Sequence, residues 1–501
     1  MKNKVQLVTY VDRLGGSRID ELEALLLGPL KGLFGGVHLL PFFYPIDGAD
    51  AGYDPIDHTV VDRKLGSWVD VKRLGNSFDL TADLIANHVS IKSPQFIDFF
   101  NRGFESSYAD MFDLYSAVFP EGASPEELSA IHRTRPQDPF RDITLGDGTD
   151  VRLWTSFTAE QVDINVMSDE GWQYLCSILH RFAECGVKLV RLDAIGYAIK
   201  TAGTSCFMTR QTYAFIGKLS AKVRELGMES LLEIHSHYSH QLEIARHVDR
   251  VYDFCLPPLV LHTLFSGNPR ALKEWLKVSP QNCVTVLDTH DGIGVADSEG
   301  LLTAKQIDSL TQRVHENSRG ASVLASGEQS SNIDMHQLNC TFFDALARNG
   351  KDYLIARMIQ FFCPGIPQVY YVGLLAGQND IDLLKRTNVG RDINRHYYSK
   401  KEVNLAIEHP VVAALFQLIR FRNTCSAFNG TFRLVPTQEH ELGMVWENGV
   451  NYARLLVDFS TRRYQIQWGS DSIHDSVTDV MKMSFDSGEI LSTVHEASVR
   501  C

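Results

Sequence analysis

The chain has 501 residues, which suggests roughly three folding units of about 150 residues each, or one large barrel that carries insertions. Its 44% hydrophobic and 22% charged residues exclude a disordered or fibrous protein, and its length excludes a small disulfide-stapled scaffold. The formal net charge of −13 disfavours nucleic acid and anionic membranes as partners, so an anionic substrate must meet a local basic pocket.

The nine cysteines are scattered, odd in number and without a C-x-x-C pair, which predicts reduced and mostly buried thiols. The segment Met1–Val11 has one short apolar run and no small-residue cleavage site, and no apolar run is long enough to span a bilayer. We therefore expect a cytoplasmic protein with no membrane partner.

Short β-branched runs recur along the chain, and stretches of helical periodicity separate several of them. Eight such runs that end in polar residues predict an α/β fold of the (β/α)8, or TIM barrel, type. An open doubly wound sheet would need a glycine-rich phosphate turn after its first strand, and Leu14-Gly15-Gly16-Ser17 does not match it. The predicted strands are Val5–Val11, Gly36–Pro41, Leu80–Asn87, Val187–Asp193, Leu231–His235, Arg250–Phe254, Val284–Asp288 and Gln368–Val372.

Two connections of the predicted barrel are too long for a simple loop and helix. About 100 residues separate strands three and four, so we expect a small inserted domain at 88–167. A Ser-, Gly- and Asn-rich stretch at 293–346 predicts a lid-like insertion after strand seven. Alternating strand-like segments predict a C-terminal β domain at 429–501. The barrel itself would then comprise 1–87, 168–292 and 347–428.

A helix after Ser168 is expected to lead into the fourth strand. Ser168 is a candidate N-cap, Asp169 and Glu170 suit the positive helix end, and Gly186 can terminate the helix. The strand that follows contains the first informative chemistry.

Three carboxylates are placed near the ends of strands four, five and seven. The two-residue period of a strand puts Arg191 and Asp193 on one face, where they point into the barrel mouth. Glu233 and Asp291 can converge with them on the C-terminal face, and two carboxylates about 5–5.5 Å apart would form a retaining glycoside-cleaving pair. Each carboxylate alone also fits a cap, a surface charge or a structural ion pair, so only the joint pattern is specific.

The run His235-Ser236-His237-Tyr238-Ser239-His240 raises the alternative of a metal site, because zinc favours imidazole ligands at short spacing. On a strand, His235 and His237 would share a face with Glu233. No separate Asp/His or Cys constellation completes a ligand set, so we expect no metal and no cofactor. A metal-dependent hydrolase would instead lose its activity with a chelator.

Several segments resemble known sequence regions of one enzyme family. Four of them match, in order and approximate spacing, the α-amylase family of barrel enzymes (glycoside hydrolase family 13): Asp83–His88, Val187–Asp193, Leu231–His235 and Leu287–Asp291. A further short signature of that family is matched by Gln161–Asn165. Within the family, three segments resemble sucrose phosphorylases: Gly48–His58, Asp288–Gly294 and Gly390–His396. The resemblance runs from Met1 to about Asn429.

The resemblance implies a role for each of the three carboxylates. Asp193 would be the nucleophile, Glu233 the general acid/base and Asp291 the stabiliser of the transition state. On physical grounds Asp193 should stay ionised beside Arg191, whereas Glu233 should hold a proton at neutral pH and so needs a raised pKa.

The resemblance also implies a set of binding residues. The glucosyl hydroxyls would be held by Asp50, His88, His290 and Arg391, with Tyr53 and Tyr197 as apolar walls and Arg191 beside the nucleophile. Arg133 and Arg135 are the candidate phosphate-binding cations, although a solvated basic turn is an equally good interpretation of the sequence. Asp334, His336 and Gln337 match the acceptor loop.

The reaction implied is the reversible conversion of sucrose and inorganic phosphate to α-glucose 1-phosphate and fructose, with retention and with transglucosylation to other acceptors. His336 departs from the usual Tyr and suits a phosphorylated fructose, but Thr134 supplies no extra cation beside Arg135. Sucrose 6'-phosphate and glucosylglycerol are therefore the alternative donors. A catalytically inert sugar-binding barrel is the alternative of another class, and a homodimer is compatible with the resemblance.

Overall fold

The computed structural model describes residues 1–47, 50–133, 137–326 and 337–470, and the backbone of 479–481, 483–486 and 489–492. Eight parallel strands close into a barrel with buried interiors. Every predicted barrel strand overlaps one of them, so the (β/α)8 fold is confirmed. The strands are β1 (Gln6–Thr9), β2 (Gly36–Leu39), β3 (Asp79–Ile85), β4 (Val187–Asp193), β5 (Glu229–Leu232), β6 (Arg250–Asp253), β7 (Cys283–Thr285) and β8 (Ile366–Tyr370).

The register closes the barrel through β1, in which Gln6 pairs with Gly36 of β2 and with Gln368 of β8. Seven of the eight predicted strands extend one to three residues too far at their C-terminal ends, and the two largest differences are at β5, which ends at Leu232, and at β7, which ends at Thr285. His235 and His237 therefore do not share a strand face with Glu233, contrary to the expectation. Glu233 and Asp291 instead lie in the loops at the barrel mouth, where the backbone can turn their side chains inward.

The helix after Ser168 begins and ends as its sequence predicts. Ser168 Oγ accepts a hydrogen bond from the Gly171 amide (3.0 Å), and the helix spans Asp169–Glu184. Gly186 follows with φ +82°, a conformation that glycine adopts without strain. The cap thus fixes where the chain turns into β4, the strand that carries Arg191 and Asp193.

Helices surround the barrel and form part of its insertions. Those of seven or more residues are Ile19–Leu27, Trp68–Gly75, Pro94–Arg102, Asp169–Glu184, Arg210–Glu225, Tyr238–Ile244, Leu256–Ser266, Arg270–Val278, Ala304–Asn317, Gly350–Phe362, Ile381–Thr387, Lys400–Ile407 and Pro410–Thr424. Shorter helices are Tyr115–Val118, Pro125–Ala130, Ala321–Ser326, Phe342–Ala345 and Tyr371–Leu374. Among the described residues no single helix is long and apolar enough to cross a membrane, although the bent pair Lys400–Ile407 and Pro410–Thr424 would pass by length and composition.

Three sets of short strands lie outside the barrel. The β3–β4 connection contains two antiparallel pairs, Phe140–Thr144 with Asp150–Trp154 and His88–Ser90 with Gln161–Asp163. The β7–β8 connection pairs Ile293–Gly294 with Gln337–Leu338, and the β2 loop pairs Phe43–Tyr44 with Asp57–Val61. After the barrel comes a sheet of Thr431–Val435, Glu441–Asn448, Asn451–Asp458, Arg463–Gly469 and Asp479–Met481, then the hairpin Met483–Asp486 with Glu489–Ser492.

A buried lysine ties the β3–β4 insertion to the barrel. The Lys200 side chain, from the loop after β4, is only 1% exposed, and its ammonium lies 2.8 Å from Asp163 Oδ2 and 3.7 Å from Asp113 Oδ2. It also donates to Asn87 Oδ1 (2.9 Å) and to the Tyr197 carbonyl (2.5 Å). Burial raises the pKa of Asp113 to about 6 even though Lys200 lowers it. One cation thus holds groups from both parts together.

Replacing Lys200 by Met is expected to loosen this connection. The variant leaves Asp163 buried without its cation, and breaking a buried ion pair in this way costs about 3–5 kcal/mol of unfolding free energy. We expect a lower urea midpoint, followed by tryptophan fluorescence. Lys277→Met, which removes an exposed lysine paired with Glu274, is the control and should keep the wild-type midpoint. An unchanged midpoint in Lys200→Met would contradict the role given to this lysine.

Candidate active site

A cavity of about 740 Å³, including its open mouth, lies at the C-terminal face of the barrel. This is the size of a site for a small sugar. Ten residues predicted from the sequence line it: Asp50, Tyr53, His88, Asp193, Tyr197, Glu233, His290, Asp291, Gln337 and Arg391. The structure adds six more: Phe157, Ala194, Gly196, Phe207, Ile234 and His235.

The Arg191 guanidinium lies beneath this cavity and contacts carboxylates from three neighbouring strands. Nη1 is 2.5 Å from Asp83 Oδ1 and 2.6 Å from Asp193 Oδ1, while Nη2 is 2.5 Å from Glu233 Oε1. Asp291 Oδ2 lies further away, at 3.9 Å from Nη2. The planar fork of arginine suits this task because it presents several donors in fixed directions. Arg191 therefore brings the three predicted catalytic carboxylates to one point.

Asp291 is held by a second arginine and a histidine. Arg391 Nη1 lies 2.8 Å from Asp291 Oδ1, and His290 Nε2 lies 3.4 Å from Oδ2. Burial alone would raise the pKa of Asp291, but His290, Arg391 and Arg191 hold it well below its usual range. Asp291 is thus a fixed negative charge at the cavity wall.

One side of the cavity is a flat wall of two stacked rings. The rings of Tyr53 and His290 are parallel, with centroids 5.1 Å apart. Burial lowers the pKa of His290 to about 3, so its ring is neutral near pH 7. His88 Nε2 donates to the Tyr53 carbonyl (3.0 Å), and Gln161 Nε2 donates to the same oxygen (3.2 Å). These bonds fix the Tyr53 backbone at the cavity edge.

The other side is aromatic, and sequence reasoning identified only one of its members. Tyr197 packs against Phe207 (centroids 4.7 Å apart) and meets Phe157 edge-on (5.2 Å). Phe207 lies between Cys206 and Met208, which both adopt positive φ. The strand alternation that identified the carboxylates does not extend into such loops. The one available signal was position, since loops after barrel strands form the catalytic face.

The two central carboxylates do not titrate independently of each other. Burial and the nearby charge of Glu233 raise the pKa of Asp193 well above its usual value. Burial would also raise the pKa of Glu233, but Arg191 and His235 lower it to about 2. The raised pKa of Asp193 and the lowered pKa of Glu233 indicate that this coupled pair holds one proton in common. The sequence could not reveal that Arg191 reaches Glu233 as well as Asp193.

The predicted phosphate and acceptor residues are only partly placed. Gln337 lines the cavity, whereas Arg133 is half-buried and is not among the lining residues. Arg135, Asp334 and His336 lie outside the described residues. Their assignment to phosphate and to the acceptor stays a prediction.

Glu233, His235 and Asp291 also form a geometric group that a metal could use. Each offers one ligand atom, and the three atoms lie within 4.8 Å of one another. The Arg191 guanidinium already contacts Glu233 and lies beside Asp291, so its positive charge neutralises part of the negative charge that these carboxylates could offer a metal ion. The arrangement fits sugar chemistry better than metal binding.

The comparison with known proteins agrees with this geometry. No protein-family model matches the chain. The sucrose phosphorylase of Agrobacterium vitis is 56% identical over 467 residues, which cover 92% of this chain and 96% of that protein. The chain belongs to the sucrose phosphorylase family.

Other members of the sucrose phosphorylase family differ in the donor that their names state. The glucosylglycerol phosphorylase of Marinobacter adhaerens is 42% identical, covering 93% of this chain and 97% of that protein. A crystal structure of sucrose 6F-phosphate phosphorylase from Thermoanaerobacter thermosaccharolyticum matches with a TM-score of 0.87 and 38% identity, over 93% of this chain and 96% of that chain. The barrel and its insertions are therefore common to enzymes that differ in the donor named.

Replacing Arg191 by Lys tests whether geometry as well as charge is needed. Lysine keeps the positive charge but presents one ammonium where the guanidinium contacts three carboxylates. We expect kcat/KM to fall by about 10²–10³-fold, since misplaced electrostatic groups cost about that much. The control is Arg224→Lys at an exposed pair with Asp249, which should keep wild-type kinetics. Wild-type rates in Arg191→Lys would mean that charge alone is sufficient.

Proposed function

We propose that this protein is a sucrose phosphorylase, which converts sucrose and phosphate reversibly to α-D-glucose 1-phosphate and D-fructose. The observation that carries the proposal is the meeting of Asp193, Glu233 and Asp291 on Arg191 in a sugar-sized cavity. The identity of 56% with a sucrose phosphorylase supports sucrose as the donor. The enzyme class is therefore that of a glycosyltransferase.

The first step breaks the glycosidic bond. The Asp193 carboxylate attacks the anomeric carbon while Glu233 protonates the departing fructosyl oxygen, which gives a covalent glucosyl-enzyme and free fructose. This requires the shared proton to be on Glu233. A positively polarised anomeric carbon next to Asp193 favours the ionised form of Asp193, and the proton then moves to Glu233. The fixed charge of Asp291 stabilises the oxocarbenium-like transition state.

The second step passes the glucosyl group to phosphate. A phosphate oxygen attacks the anomeric carbon from the face that fructose left, its proton passes to Glu233, the bond to Asp193 breaks, and the two inversions give net retention. Phosphate must win over water, which calls for cations at the acceptor side and a largely enclosed site. Arg135 is our first choice for this cation and Arg133 the second.

The glucosyl hydroxyls are assigned to the residues that surround the carboxylates. Asp50, His88, His290 and Arg391 supply polar groups at the cavity wall, and Tyr53 and Tyr197 supply apolar faces. The fructosyl side is assigned to Asp334, His336 and Gln337. We assign no metal or cofactor to the reaction.

The proposed setting follows from the same family membership. The partners are sucrose, phosphate, glucose 1-phosphate and fructose, with no nucleic acid. Seven cysteines of the described residues are free thiols, which supports a reducing compartment such as the cytoplasm: Cys176, Cys185, Cys206, Cys255, Cys283, Cys340 and Cys363. A homodimer stays a prediction.

Two variants separate the roles of the carboxylates. Asp193→Asn removes the nucleophile and should abolish turnover of every donor by orders of magnitude. Glu233→Gln removes only the proton donor, so it should lose activity on sucrose but keep activity on α-glucosyl fluoride, whose leaving group needs no protonation. Glucose 1-phosphate release from each donor is the measurement. Phosphorolysis by Asp193→Asn, or equal losses on both donors in Glu233→Gln, would overturn the assignment.

Donor preference decides between the alternatives within this chemistry. We expect kcat/KM to be highest for sucrose when sucrose, sucrose 6'-phosphate and glucosylglycerol are compared at saturating phosphate. A higher value for either of the others would change the proposed donor. Release of no sugar from any α-glucoside would favour an inert binding barrel, and loss of activity with a chelator would favour a metal-dependent hydrolase.

A further inference from the structure

A buried aspartate outside the catalytic set pairs with His235. Asp297, in the β7–β8 insertion, is fully buried. Its Oδ2 lies 3.3 Å from His235 Nδ1, and its Oδ1 accepts the Ser236 amide at 3.1 Å. The carboxylate therefore fixes both the imidazole and the backbone next to it.

The contact between Asp297 and His235 requires a glycine at position 294. A Cβ on Gly294 would lie 2.6 Å from Asp297 Oδ2, closer than real Cβ atoms come to a neighbour. Gly294 itself pairs with Gln337 in the short antiparallel ladder of the insertion. The ladder that carries Gln337 to the cavity is therefore built around the Asp297–His235 pair.

The other edge of His235 faces the catalytic acid. Nε2 lies 3.7 Å from Glu233 Oε1 and 3.1 Å from the Gln337 side-chain amide, while the ring stacks on Phe254 with centroids 4.0 Å apart. An imidazolium donates from both nitrogens, so the Gln337 oxygen should be the atom that faces Nε2. That assignment also gives a donor to Gln337 Oε1, a buried oxygen that has no other hydrogen-bond partner among the described residues.

The charges around His235 favour its protonated form. Glu233 and Asp297 contact it directly, and Asp291 lies in the same group within 4.8 Å. The Arg191 guanidinium contacts the same Glu233 oxygen, Oε1, that faces His235, and its charge opposes protonation of the imidazole. Burial would lower the pKa of His235, but Asp297 and Glu233 raise it well above its usual value.

We propose that Asp297 is a positioning residue that keeps His235 as an imidazolium between Glu233 and Gln337, and thereby sets the pH at which the catalytic pair loses its shared proton. The effect on catalysis rests on the function proposed above, whereas the charge on His235 does not. A positive charge beside Glu233 favours loss of the proton that Asp193 and Glu233 share. Without Asp297, His235 becomes neutral near pH 7, and the pair retains its proton to higher pH.

The charge on His235 can be measured without any substrate. Asp297→Asn keeps the shape of the side chain and an oxygen for the Ser236 amide, but removes the charge. We expect the His235 ring resonance, assigned by its loss in His235→Asn, to stay that of an imidazolium up to pH 8 in the wild type. In Asp297→Asn it should titrate below about pH 7, toward the ordinary histidine pKa.

The second readout is the pH profile of kcat/KM for sucrose. In Asp297→Asn the alkaline limb should move up by about one pH unit, because the catalytic pair holds its shared proton longer. The matched control is Asp344→Asn. Asp344 is also a buried carboxylate of the β7–β8 connection, accepts the Asn379 amide (2.5 Å) and pairs with Arg348 (2.6 Å), but lies outside the cavity lining. If either substitution only damages the structure, kcat/KM should fall at every pH, while the alkaline limb stays at its wild-type pH.

Two results would overturn the proposal: a His235 that stays charged at pH 8 in Asp297→Asn, or an alkaline limb that coincides with the wild-type limb. If the wild type does not cleave sucrose, the proposed function fails, and the resonance titration still tests the Asp297–His235 pair. The two hypotheses are therefore separable.

Discussion

The site depends on one guanidinium. Arg191, only 3% exposed, is within 2.6 Å of Asp83, Asp193 and Glu233 and within 3.9 Å of Asp291. These four carboxylates come from β3, β4 and the loops after β5 and β7, and without a central cation their burial would force several of them to take up protons. The closed barrel brings the four carboxylates together, and the positive charge of Arg191 lowers the free-energy cost of burying them.

Arg191 alone does not balance four carboxylates, and the remaining negative charge is distributed among other partners. His38 Nε2 donates to Asp83 Oδ2 (2.8 Å), Arg391 pairs with Asp291, and His235 faces Glu233. What remains is one proton held in common by Asp193 and Glu233. The chemistry needs this state, because one of the two carboxyls must be an acid while the other is a nucleophile.

The sequence correctly predicted the structural features that depend on local periodicity and on helix capping. All eight barrel strands, the helix capped by Ser168 and the burial of Arg191 beside Asp193 follow from two-residue alternation and from end signals. Contacts between distant segments could not be read in this way. Phe207 reaches the cavity from a loop with two positive-φ residues, and Asp297 meets His235 across 62 positions of sequence. The contact between Arg191 and Glu233 across the barrel is of the same kind.

In the proposed function, the position of Asp297 links the residues that contact the donor to the pKa of Glu233. The β7–β8 insertion contributes both Gln337, which lines the cavity, and Asp297, behind His235, and His235 touches Gln337 and Glu233 at once. A change in the insertion that alters acceptor contacts therefore also alters the charge next to the acid.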